Sequence, residues 1–117
     1  MSRLKELIER KDKRKAKLLE ALDLIVSQLK GMGALKIILF GSVARGDTDV
    51  NSDLDLFVLM PSSRTGKEWM DIIYETVERR VASNLIIFNQ QEFDERLPGN
   101  RFLENIQKGR IVYEKTA

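Results

Sequence analysis

Leu39–Met60 reads LFGSVARGDTDVNSDLDLFVLM. Two apolar runs that favour strand, Ile37–Phe40 and Leu54–Met60, enclose a Gly-Ser turn, and Asp53 and Asp55 intrude on the second. Aspartate is depleted in strands, and carboxylates two residues apart share a face of the sheet. Alternation puts Asp53, Asp55 and Phe57 on one face, with Leu54, Leu56 and Val58 on the other. Paired carboxylates oppose each other's charge unless a cation stands between them. A hard divalent ion such as Mg²⁺ suits an all-oxygen pair of this kind. The structural alternative is that Asp53 caps the preceding turn while Asp55 pairs with a lysine or arginine.

The turn itself carries a second signal. Gly41 and Ser42 stand where a strand ends and a short helix, roughly Ser42–Arg45, begins. Glycine admits a ligand close to the backbone, and the free N–H groups of a helix start suit a phosphate. The Ser42 hydroxyl can join them. Alone, Gly-Ser after a strand is only a turn; followed by a carboxylate pair on the next strand, it forms a cradle for a metal–triphosphate complex.

Composition narrows the chemistry further. The 117 residues suffice for one core, and a 43% apolar fraction is that of a globular protein. The chain has no cysteine and no histidine, which excludes disulfides, thiolate sites and the commonest general base. Acid–base and metal chemistry must therefore run on carboxylates, amides and hydroxyls. A net charge of +2 is too small to argue for nucleic-acid binding. No apolar stretch approaches the roughly 20 residues that span a bilayer, and the charged N-terminus is not that of a secretory signal, so a cytoplasmic protein without a membrane role is expected.

Along the chain, Ser2–Lys30 reads as a long helix, with Leu4, Leu7, Ile8, Leu18, Leu22, Ile25 and Leu29 at helical spacing. Its stripe is broken by Glu9–Lys17, either a solvated face or a basic surface for a partner or a nucleotide. A buried strand at Leu35–Phe40 and a second ending at Pro61 follow. A helix is expected over Ser62–Arg80, with Trp69, Ile72, Ile73, Thr76 and Val77 on one face, then a strand at Asn84–Phe88. Asn89–Leu97 and Arg101–Lys108 read as short helices, the latter turning Phe102, Leu103 and Ile106 inward, and Arg110–Glu114 as a last strand. This order predicts an α/β (α+β) fold, a small mixed sheet packed against helices, as one domain over 1–117 (N-terminal helix 1–30, core 35–115).

The string GSVARGDTDVNSDLDLFV closely resembles the signature of the nucleotidyltransferase superfamily typified by DNA polymerase β: G-S-x-x-x-G, a gap, then S-D-x-D before apolar residues. The small size, the Ala-Arg-Gly after Gly-Ser, and the segments NQQEFDERL and ENIQKGRIVYEK are similar to the minimal nucleotidyltransferases, the MNT proteins of prokaryotes. The resemblance covers about Leu35–Lys115. It implies that Gly41 and Ser42 contact nucleotide phosphates, that Asp53 and Asp55 are catalytic metal ligands, and that Arg45 braces the loop or touches the ligand beside Gly46. Ser52 is expected to fix the turn that aims Asp53.

One element of the family pattern is missing. A third carboxylate normally comes from the next strand, and the matching position here is Asn84. An amide can ligate through its oxygen but cannot take the acceptor's proton. Asp71 on the preceding helix and Glu92 beyond the strand are the alternative acids. The resemblance implies Mg²⁺ as cofactor and ATP or another nucleoside triphosphate as substrate. It also implies a hydroxyl acceptor on a HEPN-type partner protein, with the MNT chain as its antitoxin. A weakened or inactive binding subunit is the other reading. The long helix and the strand near Ile111 are candidate surfaces for self-association.

Overall fold

The computed structural model describes residues 3–46 and 53–116, with the side chains of the first helix from Lys13 onward. Nine elements follow in the order α1 (Arg3–Gly31), β1 (Lys36–Phe40), α2 (Gly41–Ala44), β2 (Leu54–Met60), α3 (Gly66–Thr76), β3 (Ser83–Asn89), α4 (Gln90–Arg96), α5 (Arg101–Ile106) and β4 (Arg110–Glu114). The four strands form one mixed sheet in the order β3-β2-β1-β4. β1 runs antiparallel to β2 and β4, while β2 and β3 are parallel and joined through α3. This is the expected mixed sheet packed against helices, with the long N-terminal helix.

The strict alternation of β2 explains why the sheet lies between helices. Leu54, Leu56, Val58 and Met60 enter one core with Leu18, Leu22, Ile25 and Leu29 of α1 and Trp69 and Ile73 of α3. Phe57 and Leu59 enter a second with Ile38, Leu103 and Ile106, against which Phe93 packs. Phe57 is wholly buried beside the Phe88 and Phe93 rings, at centroid distances of 6.0 and 5.4 Å. A strand covered on both faces must be apolar on both, and within β2 only Asp55 departs from this.

Two expectations are corrected. The helix expected over Ser62–Arg80 is shorter, because Thr65 caps it: its hydroxyl accepts from Glu68 N, and Glu68 Oε1 accepts from Thr65 N, each at 3.1 Å. This capping box fixes the start. At the other end the Gln28 side chain takes Glu78 out of the helix, accepting from its N–H at 2.9 Å and donating to its carbonyl at 2.8 Å. Trp69, Ile73 and Val77 are buried, whereas Thr76 is exposed. Phe102, expected to face inward, is 56% exposed, since α5 turns only Leu103 and Ile106 to the core.

Both outer strands have irregular edges. On β3, the Tyr74 hydroxyl accepts from Leu85 N at 3.2 Å and donates to Leu85 O at 3.4 Å. On β4, the register against β1 shifts between Ile37 and Ile38, so that Tyr113 and Ile111 face consecutive β1 residues. Both devices hinder pairing with further strands.

Candidate functional site

The β1–β2 register brings Phe40 opposite Asp55, so the chain leaves β1 directly beside the second carboxylate. Gly41, the next residue, has φ +77°, and a Cβ placed on it would collide with the Asp55 carboxylate. Glycine is required twice here, for the backbone angle and for the contact. The turn closes by hydrogen bonds from Arg45 N to Gly41 O and Ser42 O, at 3.3 and 3.1 Å, and from Gly46 N to Val43 O, at 3.1 Å. No side chain caps the start of α2.

Asp53 immediately precedes β2 and is partly buried, as is Asp55. On the other side of Asp55, the parallel β2–β3 register pairs it with Asn84. Asn84 Nδ2 donates to Asp55 Oδ1 at 2.9 Å. The Asp55 carboxylate thus lies between an amide on β3 and the bare backbone of Gly41 at the start of α2. Ser52 lies outside the described residues.

The two alternative acids are elsewhere. Glu92 Oε1 accepts from Gly66 N and Asn89 N, both at 3.0 Å, and so ties α3, β3 and α4 together. Asn89 ends β3 and Asn84 stands near its start, about 16 Å apart along an extended strand. Asp71 is exposed on α3. Among the described residues no three Asp, Glu, His or Cys side chains are grouped to hold a metal ion. The structure brings the Asp55 carboxylate and the Asn84 amide together, with Asp53 two residues before Asp55. That chemistry fits Mg²⁺, which binds through one or two carboxylates and completes its shell with substrate phosphates and water.

A cavity of about 480 Å³ opens on the β4 side of the turn. Phe40, Gly41, Ala44 and Arg45 line it together with Asn105, Lys108, Gly109 and Arg110. Sequence reasoning missed this second group. The only signal was two cations around Gly109 in a turn, a pattern shared with any solvated turn. Gly109 sits so close to β1 that a Cβ would stand 2.6 Å from Leu39 O and 2.9 Å from Ile38 Cγ2. Its bareness brings Lys108 and Arg110 to the end of β1.

An uncapped glycine turn packed against a carboxylate thus stands at the start of a parallel β-α-β unit. The chain belongs to the nucleotidyltransferase domain family, whose model matches residues 19–113. The crystal structure of a "putative nucleotidyltransferase" from Sulfolobus solfataricus has the same fold, with a TM-score of 0.62 and 15% identity over 91% of this chain and 88% of that one. No curated protein sequence matches the chain. No helix among the described residues is long and apolar enough to cross a membrane.

Proposed function

We propose that this chain transfers a nucleoside monophosphate, AMP from ATP, to a hydroxyl on a HEPN-type partner protein in the cytoplasm, with Mg²⁺ as cofactor. The observation that carries the reading is the contact of Gly41 with the Asp55 carboxylate. It puts the phosphate-binding turn and the carboxylates in one place, which neither a turn nor a structural aspartate needs. Gly41 and Ser42 offer backbone N–H groups and a hydroxyl to phosphate oxygens, and Arg45 adds positive charge close by. Asp53 and Asp55 would hold the divalent ion, which when bound neutralises phosphate charge as the α-phosphate is attacked.

Asn84 favours a second reading, a binding subunit with little or no turnover. Its amide donates to Asp55 Oδ1 and so orients that carboxylate. It cannot accept a proton from the attacking hydroxyl, which must lose it to water or to the substrate's own phosphate. Loss of a general base costs about 10²–10⁴ in rate.

The test is incubation of the chain with Mg²⁺, α-labelled ATP and a HEPN-type protein encoded beside it. Label on the partner that vanishes in Asp53→Ala supports transfer. No label from the wild type, with label from Asn84→Asp, replaces the first reading by the second. Absence of label from both, with no ATP binding, removes both.

A further inference from the structure

We infer that Lys108 and Arg110 form a receiving site for the pyrophosphate end of a nucleoside triphosphate, resting on the nucleotidyl-transfer reading above. Four groups stand in a row along one end of the sheet. Asn84 stands on β3, Asp55 on β2, the Gly41 turn after β1, and Arg110 begins β4, in the spatial order of the strands. On that reading the acceptor is activated at the β3 end of this row, where Asn84 stands, and the Gly41 turn lies on the other side of Asp55.

In nucleotidyl transfer the acceptor oxygen forms a bond to the α-phosphorus while the bond from that phosphorus to the bridging oxygen breaks. The electron pair leaves with pyrophosphate, and the acceptor's proton goes to water. Attack and departure are in line. With the acceptor at the β3 side, negative charge therefore grows toward β1 and β4. There the cavity that Gly41 and Arg45 share with Asn105, Lys108 and Arg110 has cations and no acid in its lining. Strand axes β2 and β4 are two spacings apart, about 10 Å, which the exposed side chains of Lys108 and Arg110 can bridge toward the turn. Lysine and arginine at such a place stabilise a developing oxyanion.

The site also predicts specificity. A ligand with β- and γ-phosphates gains from Lys108 and Arg110, whereas a monophosphate does not. Both side chains are exposed, so Lys108→Gln and Arg110→Gln keep the stems and remove only the charges. The experiment is calorimetry of the full chain with Mg²⁺ and, separately, ATP, AMP and inorganic tripolyphosphate.

Each substitution is expected to weaken ATP and tripolyphosphate by roughly tenfold, the scale of one hydrogen bond to a charged group, and to leave AMP unchanged. Wild-type affinity for ATP and tripolyphosphate in the double variant would overturn the inference while leaving nucleotidyl transfer standing. Equal weakening of AMP would overturn it too, by showing a general electrostatic effect. If the wild type binds tripolyphosphate through these two residues but neither binds nor transfers nucleotide, the polyphosphate site stands and the transfer reading falls.

Discussion

Asn84→Asp places a third carboxylate where Asn84 Nδ2 now donates to Asp55 Oδ1 at 2.9 Å. Two effects add. The hydrogen bond to a charged acceptor is lost, about 1.5–3 kcal/mol when well formed. Two like charges then face each other at about 4 Å, which costs about 1 kcal/mol in water and about 4 at the effective dielectric of a protein surface. Asn84 is exposed, so the lower part of both ranges applies, and a loss of about 2–4 kcal/mol is expected in the absence of divalent cation.

Magnesium should reverse it. A third anionic ligand raises affinity, and an ion at one hundred times its Kd stabilises the folded state by about 2.7 kcal/mol. Urea unfolding of wild type and variant, with EDTA and with Mg²⁺, measures both terms. Equal stability of the two in EDTA, together with an equal response to Mg²⁺, would refute the adjacency of Asn84 and Asp55 on which the site is built.

Three other outcomes are expected. Gly41→Ala should destabilise by about 1–2 kcal/mol from its positive φ alone, and more from its collision with Asp55; calorimetry should show loss of ATP binding in the folded fraction. Glu92→Ala leaves the N–H groups of Gly66 and Asn89 without their acceptor and should cost about 1–3 kcal/mol in chemical denaturation, with no direct effect on nucleotide affinity because Glu92 is at the far end of β3. Glu68 is held below its ordinary value of 4.5 chiefly by the hydrogen bond from the Thr65 backbone. Its contribution to stability is therefore complete above about that pH and is lost as pH falls through the lowered value of the folded state; Glu68→Gln should flatten the acid limb of the stability profile.

The residues differ in how far their surroundings could be read from the chain. β2 was legible because it is covered on both faces, so its alternation had nothing polar to blur it and Asp55 stood out. Gly41 and Asp55 are joined by the antiparallel pairing of two strands consecutive in sequence, which makes their meeting a near-local event. Asn84 was placed by the resemblance alone, and the parallel β2–β3 register sets it opposite Asp55. The ends of α3 were misjudged because hydrophobic spacing continues through Val77, whereas the backbone obeys Thr65 at one end and Gln28 at the other. Phe102 was misjudged because a helix of only 6 residues has too few turns to define a face. That Lys108 and Arg110 neighbour the Gly41 turn was not legible because β4 joins the sheet beside β1, a long-range pairing that no local pattern encodes.

The hydroxyl of Tyr74 bears on how an acceptor can arrive. It occupies both outward backbone groups of Leu85, the residue next to Asn84. A peptide cannot lie along β3 as a fifth strand without evicting it. If the chain transfers a nucleotide to a polypeptide, as proposed above, the acceptor hydroxyl would come in end-on, over the tips of the strands, as a loop crest or a chain terminus offers it. A polypeptide target of this chain would thus be chosen by the protrusion of its modified residue rather than by an extended sequence around it.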